Sequence, residues 1–239
     1  MNYQRTMKMA DRKTALVTGG NRGIGFEICR QLAGKGFDVF LTARNEEAGK
    51  KAVEKLAGQN LKVNFIPLDV TNYESVQTAV KLFKEHSSTL DVLVNNAAIL
   101  RDKTDIFNMP ENLLPETLQT NVVGVLWVTQ AFVQIMKKGG RIINISSDAG
   151  QLNRESTYSP AYSISKTALN AVTKQFAAAL LPKGIAVNSV HPGWIKTDMG
   201  GSAAPAPIEK GAETPVWLAT EVPIDVTSKF FYNKKEFAW

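Results

Sequence analysis

Residues 14–25 read TALVTGGNRGIG, a short strand-like run, Thr14 to Thr18, that passes directly into a cluster of glycines. Ile24, Ile28 and Leu32 then recur at helical spacing, so a helix follows the glycines. Glycine tolerates positive φ and lets backbone N–H groups approach a ligand closely. The start of the helix adds partial positive charge at the same point. Strand, glycine turn and helix in that order form a cradle for the pyrophosphate of a dinucleotide. Gly19, Asn21, Arg22, Gly23, Ile24 and Gly25 are accordingly the first candidate cofactor-binding residues.

The same rhythm continues outward from this stretch. Asp38–Thr42, Val63–Pro67, Val92–Asn95, Arg141–Ser146, Ile185–Val190 and Lys229–Tyr232 read as further buried strands. Amphipathic stretches near 24–35, 45–57, 73–87, 111–137, 160–181 and 208–219 separate them. Strands alternating with helices require right-handed crossovers and a parallel sheet covered on both faces. The expected fold is α/β: a Rossmann-like, doubly wound, seven-stranded parallel sheet in a single domain spanning 1–239. Residues 1–12 are expected to be a flexible N-terminus. Residues 197–212 break the rhythm, beginning TDMGGSAAPAP, and are expected to form a flap over a ligand rather than a plain surface loop.

Composition removes several classes of function. The 239 residues are 44% apolar and 21% charged, an ordinary balance for a globular chain with a sizeable core. A net charge of +6 comes from scattered lysines and arginines rather than a basic block, so a nucleic-acid partner is not expected. No run of apolar residues is long enough to cross a membrane, and residues 1–12 lack the apolar stretch of a signal peptide. A cytoplasmic protein is the default expectation. Cys29 is the only cysteine, at a core position of the first helix. His86 and His191 are the only histidines, and no cysteine or carboxylate cluster joins them, so no metal site is expected. His191, beside Pro192, reads as a structural residue or a substrate contact.

Two further positions carry chemistry. The second strand ends Thr42-Ala43-Arg44, where NAD-preferring folds usually place a carboxylate for the ribose 2′-hydroxyl. Arg44 and Arg22 could instead clamp a 2′-phosphate by charge-assisted hydrogen bonds, which favours NADPH/NADP+. Tyr162 and Lys166 lie four apart in a helical stretch, on one face. A free phenol titrates near 10 and is a poor acid at neutrality; an ammonium beside it favours the phenolate. Tyr158, one turn earlier, has no lysine at its own +4 position and reads as pocket lining.

The Gly-xxx-Gly-x-Gly spacing, taken with these features, resembles the short-chain dehydrogenase/reductase family over nearly the whole chain. The resemblance implies that Asp69 and Val70 border adenine, and that Asn95 and Ala97, within Asn-Asn-Ala-Ala, border the cofactor and stabilise the sheet. It implies a catalytic set of Asn121, Ser147, Tyr162 and Lys166, with Asn121 holding a proton-relay water. Ser146 is the alternative hydroxyl, read as structural. Pro192, Gly193, Ile195 and Thr197 would meet the nicotinamide end. The implied activity is NADPH-dependent reduction of a small-molecule carbonyl (aldehyde, ketone or quinone), with Tyr162 as proton donor.

Asn21-Arg22-Gly23, Leu41–Arg44, the PGWIKTDMGG stretch and Gly211–Val216 resemble the carbonyl-reductase branch. The rival enzyme is a 3-oxoacyl-thioester reductase, and the rival of another class is a redox-sensing nucleotide-binding regulator. Only residues 148–161 separate Ser147 from Tyr162, too few to cover the long helices. A homodimer or homotetramer is therefore expected, with Val125, Val128, Ala168, Ala171 and Val172 as candidates for its exposed face.

Overall fold

A computed structural model describes residues 12–102, 104–153, 157 and 159–239. The chain runs β1 (Thr14–Val17), α1 (Gly23–Gly34), β2 (Asp38–Ala43), α2 (Glu46–Ala57), β3 (Val63–Pro67), α3 (Tyr73–His86) and β4 (Leu90–Asn95). It continues with α4 (Leu113–Leu118), α5 (Gly124–Phe132), β5 (Met136–Ile145), α6 (Pro160–Leu180), β6 (Ala186–Val190) and α7 (Ile208–Thr220). A closing hairpin is formed by β7 (Phe230–Tyr232) and β8 (Lys235–Glu236). The sheet order is β3-β2-β1-β4-β5-β6-β7-β8, with β1 through β7 all parallel.

Both faces of the sheet are covered, as buried parallel strands require. Alternate residues along each strand feed two separate cores. Ala15 and Val17 of β1 join Ile28, Leu32, Leu56 and Val216 from α1, α2 and α7. Leu16, between them, joins Val76, Phe83, Phe132 and Leu180 from α3, α5 and α6. Cys29 lies in the first core, and burial pushes its thiol well above the usual range, so it packs rather than reacts.

The structure revises four expectations. An eighth strand pairs antiparallel with β7, turning at Asn233 and Lys234, both at positive φ (47° and 61°). The helical stretch near 111–137 is broken: a π turn at Gln119–Val123 separates α4 from α5, and a 3-10 turn ends it at Val133–Ile135. Residues 208–212 form the start of α7 rather than part of a flap. Val125 and Val128 are buried in the chain's own core, because α5 lays that face on the sheet; Ala171 is exposed, and Ala168 and Val172 are partly so. The expectations for residues 1–11 and Tyr158 lie outside the described residues.

Candidate active site

After β3 the chain returns to the other side of β1, so β1 and β4 are neighbours whose following loops diverge. Ligands of such sheets bind outside the carboxyl ends of the strands at this switch point. A cleft of about 250 Å³ opens there. Gly19, Asn21, Arg22, Gly23 and Ile24 line it from the glycine turn. Arg44 stands at the end of β2, Asp69 and Val70 beyond β3, Ala97 beyond β4, and Pro192 and Thr197 beyond β6. Tyr162 and Lys166 complete the wall from α6.

The glycines are there for geometric reasons. Gly19 and Gly23 have φ of 62° and 57°, a region that side chains rarely adopt. A Cβ on Gly25 would run into the Asn96 side chain and come within 2.5 Å of the Gly19 carbonyl oxygen. Asn96 Nδ2 donates to the carbonyls of Thr18 and Gly19 at 2.9 and 3.1 Å, while Thr18 Oγ1 accepts from the amides of Asn96 and Ala97 at 2.9 and 3.0 Å. The two crossing loops are thus fastened together. The α1 N-cap, Arg22, makes no side-chain hydrogen bond to the helix.

The two arginines have different surroundings. Arg22 Nη1 pairs with Asp198 Oδ2 at 2.8 Å across the mouth of the cleft, both side chains more than 70% exposed. A pair so exposed contributes little to stability. Arg44 is exposed at the end of β2. Asp69 turns inward on its own loop, its Oδ1 accepting from the amide and hydroxyl of Thr71 at 2.9 and 2.7 Å.

Six sequence-expected positions lie outside the cleft wall: Asn121 and Ser147, described below, and Gly25, Gly193, Ile195 and Asn95. Gly25 serves the packing under the turn. Gly193 (φ 95°) and Ile195 belong to the loop after β6, where Ile195 is buried and bridges to Ala206. Asn95 is taken by the sheet instead of the cleft. Its Nδ2 donates to Thr129 Oγ1 and Asn144 Oδ1 at 3.0 and 2.9 Å, and Asn144 Nδ2 donates to Thr173 Oγ1 at 2.8 Å. Thr173 also bonds Ser189 Oγ at 2.8 Å. Asn95, Asn144 and Ser189 are side by side on β4, β5 and β6. Asn96, which the sequence reading passed over, takes the place in the cleft.

At the other end of the cleft Tyr162 and Lys166 line the wall, while Ser147 bonds Tyr162 and Asn121 bonds Ile99 from outside it. Ser147 hydrogen-bonds the Tyr162 hydroxyl; its Oγ also lies 3.0 Å from Asp148 Oδ1 and accepts from the Ala149 amide at 3.1 Å. Ser146 is largely buried, with Oγ donating to Asn170 Oδ1 at 2.7 Å, and it borders the cleft wall. Burial pushes the Tyr162 phenol up to about 12, and the Ser147 bond pulls the other way. Lys166 Nζ donates to the Ile145 carbonyl at 2.7 Å and stands 5.4 Å from the Tyr162 ring centroid. Its side chain is 2% exposed, and burial pulls its ammonium down to about 7.

Asn121 sits in the π turn, its Oδ1 accepting from the Ile99 amide at 2.8 Å. Its Nδ2 donates to the Ile99 carbonyl and to Ser165 Oγ, both at 3.0 Å. His191 stacks on Phe237 and packs at a tilt against Tyr232. Among the described residues no group of His, Cys, Asp and Glu side chains is placed to hold a metal, and no helix is long and apolar enough to cross a membrane. Asp102, also missed by sequence reading, caps α6 from a segment 59 residues upstream of the amide it holds; no local pattern signals it.

Residues 13–207 match the family model described as short chain dehydrogenase. Carbonyl reductase (NADPH) 1 of Sus scrofa is 32% identical, the alignment covering 96% of this chain and 95% of that protein. A crystal structure of NADPH-bound carbonyl reductase from chicken fatty liver superposes with a TM-score of 0.86 at 29% identity, covering 95% of this chain and 99% of that one. An actinorhodin polyketide ketoreductase variant with NADPH gives a TM-score of 0.86 at 28% identity, over 94% and 97% of the two chains. The chain belongs to the short-chain dehydrogenase/reductase family, on its carbonyl-reductase-like branch.

Proposed function

We propose that the protein reduces an aldehyde, ketone or quinone to the alcohol with NADPH, Tyr162 giving the proton. Tyr162 and Lys166 stand in the wall of the cleft that begins at the glycine turn, with Ser147 hydrogen-bonded to Tyr162, and this arrangement carries the reading. The cleft fits a dinucleotide phosphate. Gly25 admits no Cβ, the first turn of α1 has no side-chain cap, and the end of β2 offers the Arg44 cation in place of a carboxylate. Gly19–Ile24 would hold the pyrophosphate, Arg44 and Arg22 the 2′-phosphate, and Lys166 the nicotinamide ribose. When bound, NADPH supplies the hydride.

The chain's own groups manage the proton. With its pKa raised to about 12, Tyr162 keeps its O–H through the neutral range and can donate it to the carbonyl oxygen. Ser147 stands beside it to hydrogen-bond that oxygen as negative charge develops. Lys166, when protonated, favours the phenolate left behind. The loops after β4, β5 and β6 end on one side of the sheet and carry Phe107, Leu152 and Trp194, all exposed, which supports an apolar substrate.

The test is NADPH oxidation by the purified protein over aldehydes, ketones, quinones and 3-oxoacyl thioesters. Turnover should be highest on the first three groups. Tyr162→Phe should lower kcat by about 100-fold or more, with NADPH affinity close to native. A preference for the thioesters would assign the activity to the rival reductase, and no turnover on any of them would sink the enzyme reading.

A further inference from the structure

Tyr162 lies in the first turn of α6, and that turn is held from a distance. Ser159, at the N-cap, has φ 54° and ψ 58° and makes no cap hydrogen bond; its Oγ is buried and unpartnered among the described residues. The cap comes instead from Asp102, beyond β4. Asp102 Oδ2 accepts from the amides of Ala161 and Tyr162 at 2.7 and 3.2 Å. The side chain is buried, and its Oδ1 has no partner among the described residues.

The segment that carries Asp102 is itself clamped. Asn121 grips both the amide and the carbonyl of Ile99, three residues earlier. Asn121 Nδ2 also donates to Ser165 Oγ at 3.0 Å, and Ser165 Oγ donates to the Tyr162 carbonyl at 2.7 Å. The bonds close a ring: Tyr162 amide, Asp102, the 99–102 backbone, Asn121, Ser165, Tyr162 carbonyl. Both backbone polar groups of Tyr162 are therefore tied to the segment after β4 through side chains.

We propose that Asp102 and Ser165 are positioning residues for Tyr162, setting where its hydroxyl stands relative to Ser147. This rests on the reading of Tyr162 as proton donor. The rest of α6 is anchored independently by Thr173, Ala177 and Leu180 against the sheet, so the ring governs the first turn rather than the helix. A carboxylate beside those N–H groups is favoured by the helix dipole, which makes the clamp stiffer than a neutral cap. Small displacements of a catalytic group cost rate far more than they cost folding.

The test compares the native protein with Asp102→Ala, Asp102→Asn, Ser165→Ala and Tyr162→Phe, and with Asp102→Ala combined with Tyr162→Phe. Measured are kcat, substrate KM, NADPH Kd by fluorescence titration, and Tm. Asp102→Ala should lower kcat about tenfold or more, with NADPH Kd within about twofold of native. Asp102→Asn keeps an oxygen for the two amides and should recover most of that kcat. Combined with Tyr162→Phe, Asp102→Ala should cause no further loss, because it acts through the phenol.

A kcat within twofold of native in folded Asp102→Ala, or an equal loss in the Tyr162→Phe background, overturns the proposal. Should Asp102→Ala fail to fold, Ser165→Ala carries the same expectation and the same refutation. Retention of a tenth of native turnover by Tyr162→Phe removes the underlying proton-donor reading. An inactive Tyr162→Phe beside an unimpaired Asp102→Ala removes only the positioning role.

Discussion

Replacing Lys166 with methionine should make the cofactor-free protein more stable at neutral pH, and the gain should vanish as pH rises. Lys166 is 2% exposed, and its ammonium donates to the Ile145 carbonyl oxygen at 2.7 Å. Burial lowers its pKa from 10.5 to about 7 in the folded chain. Between those values the unfolded chain binds the extra proton, so native stability rises with pH through this window. The unfavourable contribution is fully present below pH 7 and is gone above about pH 10.5. Linkage puts its ceiling at roughly 4 kcal/mol at pH 7 and about 2 kcal/mol at pH 9.

Methionine fills a similar volume without the charge and leaves the Ile145 carbonyl one bond short, a loss of about 1 kcal/mol. The net gain for Lys166→Met at pH 7 should thus be up to about 3 kcal/mol. Urea unfolding of both proteins from pH 6 to pH 10, without cofactor, measures it. The native midpoint should climb relative to that of the variant by the equivalent of about 2 kcal/mol between pH 7 and 9. Parallel pH profiles would show that burial does not govern this ammonium, and the argument would fail.

Arg44→Asp should shrink or invert the preference for NADPH over NADH, which in the native protein should be about tenfold or more in kcat/KM, since charge-assisted contacts contribute roughly 1.5–3 kcal/mol each. Equal use of both cofactors by the native protein would remove the 2′-phosphate role of the arginines. Asn144→Val should cost about 2–4 kcal/mol in urea unfolding at unchanged m, because it strips Asn95 Nδ2 and Thr173 Oγ1 of a buried partner. A loss below 1 kcal/mol would mean that the buried network is already well served by other groups.

What could be read in the sequence was what depends on neighbours along the chain. The glycine turn, the Tyr162–Lys166 spacing and the alternation of strands and helices are local patterns, and the structure places them at one cleft. The roles of Asn95 and Asn96 were not separable, because the residue that points into the sheet and the one that faces the cleft differ only by strand parity. Val125 and Val128 were candidates for an exposed face because periodicity gives a stripe without saying which side meets the sheet. Asp102 was invisible for another reason. It supplies a cap across 59 residues, and Ser159, the residue a local rule would choose as cap, makes no such bond. The hairpin to β8 was missed because its turn uses Asn233 and Lys234 at positive φ without a glycine.

The buried amides and hydroxyls spanning β4, β5 and β6 also act as a ruler during assembly of the sheet. Parallel strands join segments far apart in sequence and form slowly, so misaligned pairings compete with the native one. A slip of one residue would turn Asn144 toward the apolar core on the opposite face and strand the polar groups of Asn95 and Ser189. The same slip would shift one strand by about 3.3 Å along its neighbour. Asn96 follows Asn95 directly and Ser147 comes three residues after Asn144, so their relative heights above the cleft are set by this ladder. Errors of alignment are thereby penalised in the interior before they can reach the reacting groups.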